Sequence, residues 1–204
     1  MAEPVPPSRA LRRLAGLVLP VLVAVVGQSA AIAASLSGKV VGVSDGDTIT
    51  VVDANRAQSR VRLAGIDAPE RGQAFGQRSR QHLARLCFGR EVLVEWNKRD
   101  RWGRLIGKVL VDGKDVGLLQ VEAGLAWHYK DFQGEQTPAD RALYAEAEER
   151  AREKGVGLWI DKAPIPPWTH RKSRRDAVRK KSVEIGAPPK SIQNGEPMLW
   201  SSSW

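Results

Sequence analysis

A single cysteine, Cys87, rules out an intrachain disulfide and any metal cluster built on cysteine. It reads as a small buried hydrophobe at the end of a helix. Histidine is almost as scarce: His82, His128 and His170 show no metal-ligand spacing, which argues against a histidine-based mechanism. No internal repeat is evident. The body of the chain also lacks an excess of either charge. The 204 residues together carry +9, but residues 35–161 hold 20 basic against 19 acidic side chains, net +1. Residues 1–34 contribute net +2, and residues 162–204 net +6 from nine basic and three acidic side chains. A basic protein favours polyanions, nucleic acid or an acidic membrane surface. Here most of the excess sits in a tail, so charge alone does not locate a site.

What is present begins with the N-terminus. Arg9, Arg12 and Arg13 precede an uncharged apolar stretch from Leu14 through Val26, and small residues follow, with Ala31 and Ala33 in an A-x-A pattern. That order is the order of a secretory signal peptide, cleaved near Ala33. A membrane anchor over residues 14–34 is the alternative, since 21 uncharged residues approach a bilayer's span. Either way the working part is expected outside the cytoplasm, secreted or periplasmic after cleavage, with membrane contact only through this segment. The organisation expected is therefore a leader at 1–34, a domain at 35–161 and a basic, Pro-containing tail at 162–204.

From Gly38 the pattern becomes that of strands. Lys39–Val43 and Thr48–Val52 are β-branched runs separated by the turn-forming Ser44-Asp45-Gly46-Asp47. Arg60–Leu63 alternates as a half-buried strand does, as does Glu91–Trp96, and Leu105–Val111 is a fifth apolar run. Phe75, His82/Leu83 and Leu86/Cys87 recur at helical spacing before Gly89, and Asp115 can cap a helix over Val116–Ala123. Thr137 and Pro138 start a last helix that should bury Leu143/Tyr144, Ala147 and Ala151. The order β-β-β-α-β-β-α-α predicts an α+β, mainly β, fold: a five-stranded Greek-key barrel of the oligonucleotide-binding (OB) type with three helices. Trp127 and Trp159 are expected in the core. In the tail, Trp168 is expected to dock on the barrel and leave the basic run Arg171–Lys181 free, while Trp200 and Trp204 argue against simple disorder.

Three segments carry the chemistry: Asp45-Gly46-Asp47-Thr48, Arg62 through Glu70, and Asp100-Arg101-Trp102-Gly103-Arg104. Each has a bland reading alone. Asp-Gly-Asp is a hairpin turn signal, Asp67-Ala68-Pro69-Glu70 looks like a helix start with an Asp cap, and Arg104 looks like a solvated turn residue. Together they say more. Asp47 and Asp67 lie equally far from residue 57, so an antiparallel hairpin about that turn brings both carboxylates to one end of the barrel. Two carboxylates beside a backbone carbonyl and waters form a hard oxygen site suited to Ca²⁺ or Mg²⁺. Arg62 is harder to place, because five residues of strand put it about 16 Å from Asp67 unless Gly65 bends the chain.

These segments, in this order and at this spacing, resemble the thermonuclease, or staphylococcal-nuclease-like, family over roughly Ser37 to Trp159. The resemblance implies that Asp47, Asp67 and the carbonyl of Ala68 hold calcium, where well-known members carry Thr in place of Ala68, and that Asp45 lies in the outer shell. It implies Glu70 as the catalytic glutamate and Arg62 and Arg104 as catalytic arginines, acting on DNA or RNA. Glu70 would serve as general base, and the two guanidinium forks would stabilise the charge of the five-coordinate transition state. The leaving oxygen could be protonated by water or by Arg104. Arg101, Trp102 and Tyr129 are the expected nucleic-acid contacts, the aromatics by stacking on bases. No protein partner is implied, and a monomer is expected. Two rivals remain: a non-catalytic nucleic-acid-binding module of the same fold, and an envelope-tethered structural protein. Neither gives a reason for all five of Asp47, Arg62, Asp67, Glu70 and Arg104.

Overall fold

Five segments whose apolar residues run together or alternate are strands in the computed structural model, which describes residues 34–184. In chain order the elements are β1 (Ala34–Val43), β2 (Thr48–Val52), β3 (Gln58–Leu63), a two-residue β4 (Ile66–Asp67), α1 (Gly76–Cys87), β5 (Glu91–Arg99) and β6 (Leu105–Val111). They continue with β7 (Lys114–Asp115), α2 (Val116–Glu122), β8 (Trp127–His128), α3 (Pro138–Glu153) and α4 (Pro167–Glu184).

The long strands form a sheet in the order β3-β2-β1-β5-β6, antiparallel throughout. A parallel pairing of β3 with β6, Val61 through Leu63 against Leu105 through Gly107, closes it into the five-stranded barrel that the sequence predicts. β5 packs closely on β6 at Gly107, where a Cβ would lie 2.7 Å from the Glu95 carbonyl oxygen. Inward residues at period two, among them Val40, Ile49, Val51, Val61, Val94, Leu105 and Val109, fill the interior. Each contributes about 1.5–3 kcal/mol by leaving water. Leu83 and Cys87 of α1 are buried in the same core.

The helix caps follow local chemistry. The Asp115 carboxylate accepts from the Gly117 and Leu118 N–H groups at the start of α2, and the Thr137 hydroxyl accepts from the Asp140 N–H at the start of α3. Tyr144, Ala147 and Ala151 are buried on α3 as expected, but Leu143 is 47% exposed. The inward stripe runs through position 144, whose hydroxyl donates to Asp115, and position 143 faces away.

Two local sequence signals mislead. Asp67 caps no helix: it lies in β4, paired with Trp127 of β8, and α1 starts only at Gly76 behind Phe75. The β2–β3 register, Thr48 opposite Arg62 and Val52 opposite Gln58, centres the hairpin on residue 55 rather than 57. Asp47 therefore lies beside Leu63, whose N–H donates to its carbonyl at 2.8 Å. The predicted leader lies outside the described residues except for Ala34, which pairs with Trp96. Trp200 and Trp204 lie outside them too.

Beyond the three predicted helices, the tail supplies α4. Pro167 at its start is buried, and Trp168 stacks on Tyr129 with centroids 5.4 Å apart and planes at 10°. Trp168 also meets Trp127 edge-on at 6.2 Å, and Trp127 in turn meets Trp159. Trp127 is buried, whereas Trp159 is only half-buried at the edge of the barrel.

Candidate active site

The site begins with a turn. After Leu63 the chain reverses through Ala64 and Gly65, the latter at φ +74°, a conformation that favours glycine. The returning strand β4 pairs with β8, and the Tyr129 N–H donates to the Gly65 carbonyl at 2.8 Å. This reversal removes the 16 Å gap that an extended strand would impose. Arg62 Nη2 donates to Asp67 Oδ1 at 2.7 Å, and Nη1 to the Ile66 carbonyl at 3.3 Å and to Asp47 Oδ2 at 3.4 Å. Asp47 Oδ2 also accepts from the Ala68 N–H at 3.0 Å, which draws that carboxylate against the 67–68 peptide.

The Asp45–Asp47 loop is clamped from below. Gln120 of α2, fully buried, donates from Nε2 to the Gly46 carbonyl at 2.7 Å, and the Ser79 hydroxyl of α1 donates to the Leu125 carbonyl. A Cβ on Gly46 would fall 1.9 Å from Ser79 Oγ and 2.7 Å from the Ala68 Cβ. The glycine thus allows a packed loop under the site, a stronger requirement than a hairpin turn alone.

The electrostatics reflect crowding of carboxylates. Burial and the charge of Asp47 push the Asp45 carboxyl up to about 6. Burial also opposes ionisation of Asp47, but Arg62, the Ala68 N–H and the Thr48 hydroxyl outweigh it and hold that carboxyl below its ordinary value. Burial raises Asp67, only 1% exposed, even against two guanidinium groups.

Arg104 stands on the opposite wall, just before β6. Its Nε donates to Asp100 Oδ2 at 2.7 Å and its Nη1 to the Thr48 hydroxyl at 3.3 Å. Asp100 Oδ1 also accepts from the N–H groups of Trp102 and Arg104, so a single carboxylate builds the turn and aims the guanidinium. Arg104 is accordingly a fixed residue, not a solvated one. Trp102 is 62% exposed, with the guanidinium carbons of Arg101 and Arg104 at 4.2 and 5.1 Å from its ring centroid. Tyr129 is half-buried, with one face covered by Trp168.

All ten residues expected from the sequence line one cleft of about 710 Å³: Asp45, Asp47, Arg62, Asp67, Ala68, Glu70, Arg101, Trp102, Arg104 and Tyr129. Glu70 is not engaged in a cap. Its Oε1 accepts instead from Nη1 of Arg171 at 2.9 Å, a tail residue expected to be free of the barrel. Asp100, Gln120 and Arg171 are further residues of the site. Their signals were an Asp four residues before Arg104, a Gln between the apolar Val116 and Val121, and an Arg three residues after Trp168. His128 is buried and bonded to Gln136 through Nε2, a structural place.

The donor set is hard oxygen: two buried aspartates beside the Ala68 peptide, with Asp45 behind. Among the described residues no three His, Cys, Asp or Glu side chains converge as a preformed cluster. Asp47 and Asp67 would therefore need a backbone carbonyl and waters to complete coordination, as oxygen-ligated calcium commonly allows. In donor chemistry these residues fit such an ion.

A closed OB-type barrel whose cleft gathers carboxylates, fixed arginines and an exposed tryptophan is the frame of an enzyme acting on an anionic polymer. The sequence model of the staphylococcal nuclease homologue family matches residues 60–161. A micrococcal nuclease of Shigella flexneri is 41% identical over 154 residues, covering 71% of this chain and 86% of the relative. An uncharacterized endonuclease of Escherichia coli O157:H7 is 42% identical over 142 residues, covering 68% and 88%. The staphylococcal-like nuclease CAN1 of Arabidopsis thaliana is 37% identical over 116 residues, 57% of this chain and 34% of that protein. The chain belongs to the staphylococcal nuclease family.

Proposed function

We propose that this protein hydrolyses phosphodiester bonds of DNA or RNA in a calcium-dependent reaction carried by residues 35–161. The observation that carries the reading is the convergence of Arg62, Asp47, Asp67 and the Ala68 peptide on one side of a cleft with Arg104 on the other. Nuclease relatives that match most of the chain support nucleic acid as the substrate.

Asp47, Asp67 and the carbonyl of Ala68 would hold the calcium, with Asp45 supporting Asp47 through its backbone N–H. Bound there, the ion supplies neutralising charge for a phosphoryl oxygen and orientation for the attacking water. Glu70, on the segment that follows β4, takes the proton of that water as general base. Arg62 and Arg104 present guanidinium forks from two walls, and their hydrogen bonds strengthen as negative charge builds on the phosphorane oxygens. Asp100 fixes Arg104 so that no reorganisation is needed at that moment. Trp102 offers an open ring face for a base, a contact that tolerates any sequence. Residues 1–34 direct export and are removed near Ala33, or alternatively stay as an anchor. The mass of the mature N-terminus decides between them.

The test separates chemistry from grip. Glu70→Gln and Arg104→Ala should each lower kcat by about 10²–10³-fold, while affinity for single-stranded DNA changes several-fold at most. Wild-type turnover in either variant removes that residue from the mechanism.

A further inference from the structure

The helix α4 lies beyond the stretch matched by the family's sequence model, yet it reaches the centre of the site. Arg171 Nη2 donates to Asp67 Oδ2 at 2.7 Å, and its Nη1 donates to Asp67 Oδ1 at 3.2 Å and to Glu70 Oε1 at 2.9 Å. One guanidinium thus spans both oxygens of the buried aspartate and one oxygen of the proposed general base. Its own side chain is 33% exposed. One turn earlier, Trp168 lies flat on Tyr129 and edge-on to Trp127. The Gln73 side chain donates to the Ile165 carbonyl and ties down the approach to the helix. Past Arg171 the helix leaves the barrel: residues 172–180 are all exposed, and they carry Lys172, Arg174, Arg175, Arg179 and Lys180 against Asp176.

A fork that donates to both oxygens of Asp67 uses the lone pairs that a metal ion would need, and it places positive charge where that ion would lie. Glu70 likewise has Oε1 taken by Arg171, which leaves Oε2 alone to meet a water molecule. The aromatic stack adds a third conflict, since Trp168 covers a face of Tyr129 that a base would otherwise meet.

We propose that α4 is an intramolecular plug in which Arg171 stands in for the cation, so that metal loading and docking of α4 exclude one another. The proposal rests on the reading that Asp47 and Asp67 hold calcium. Release of Arg171 frees Asp67 Oδ2 and Glu70 Oε1 together, leaves Arg62 on Asp67 Oδ1, and uncovers Tyr129. The fastening at Arg171 is ionic, so a divalent ion can compete with it directly.

The experiment uses the purified protein and its Arg171→Ala and Arg171→Lys variants without substrate. Calcium affinity is measured by isothermal titration calorimetry, and amide hydrogen exchange is followed over residues 166–175. Arg171→Ala should bind calcium at least tenfold more tightly than the parent, with Arg171→Lys between them, because lysine keeps the charge but loses the fork. In the parent, saturating calcium should speed exchange in that segment several-fold. Equal calcium affinity in parent and Arg171→Ala, or weaker binding in the variant, overturns the plug and leaves the metal reading intact. Absence of calcium binding in all three overturns the metal reading and the plug with it. Circular dichroism of the variants checks that the barrel is unchanged.

Discussion

Replacing Arg62 by alanine tests whether the turn at Gly65 has built a buried ionic centre or only a surface contact. Arg62 makes three hydrogen bonds, the shortest at 2.7 Å to an aspartate that is almost fully buried. The Arg62 side chain is itself only 15% exposed. Removing one partner of a buried pair typically costs about 3–5 kcal/mol, because the other charge is left without compensation. Two features place this case at the low end. Asp67 keeps Arg171, and Asp47 keeps the Ala68 N–H and the Thr48 hydroxyl. The 3.4 Å bond to Asp47 is long and contributes little. The expected loss is therefore about 3 kcal/mol, read from urea unfolding in excess chelator so that no metal substitutes for the lost cation. In a cycle with Asp67→Asn the double variant should be less destabilised than the sum, by roughly 1–2 kcal/mol. A loss below about 1 kcal/mol, the range of exposed ion pairs, would refute the claim that this charge cluster is buried and mutually dependent.

Three further outcomes follow from the same structure. Gly46→Ala must push a methyl group into Ser79 and Ala68, so it should cost about 1–3 kcal/mol and lower nuclease activity; a neutral substitution would show that the loop is not clamped. The Cys87 thiol, buried and pushed up to about 12 by that burial, should resist a thiol reagent at pH 8 until the protein unfolds, and labelling of the native state at the rate of a free cysteine would contradict its placement. Neutralising Arg174, Arg175, Lys180 and Lys181 to Gln should leave kcat at saturating DNA unchanged and flatten the salt dependence of binding by about 0.7 in log–log slope per lost phosphate contact on single strands; an unchanged slope means that α4 offers no arm to the substrate.

Most of the barrel was legible because its signals are local. Thr48–Val52 and Leu105–Val111 are strands with the bounds predicted, since the apolar runs end there against Asp47, Asp53, Arg104 and Asp112. The site was legible as a list of residues but not as a geometry. Asp67-Ala68-Pro69-Glu70 satisfies every local rule of a helix start, yet pairing of β4 with β8, some sixty residues later in the chain, holds it extended. No four-residue pattern can reveal that contact. Arg62 appeared stranded because rise per residue assumes a straight strand, and a single left-handed glycine cancels the distance. Gln120, buried on α2, and Asp100, in a turn, were concealed by their ordinary surroundings in sequence. Arg171 was concealed by abundance: as one of seven basic residues between 171 and 181, it differs only in standing one helical turn from Trp168.

The central claim is that the Asp47–Asp67 pair loads calcium for phosphodiester hydrolysis in this cleft. Its most direct measurement is cleavage of single-stranded DNA by the purified protein, with calcium and with excess chelator, beside an Asp47→Asn variant. The protein should cleave in calcium, lose cleavage in chelator and recover it when calcium is returned, and the variant should show a large loss at the same calcium concentration. Full cleavage in excess chelator, or an Asp47→Asn variant as active as the parent, would contradict it.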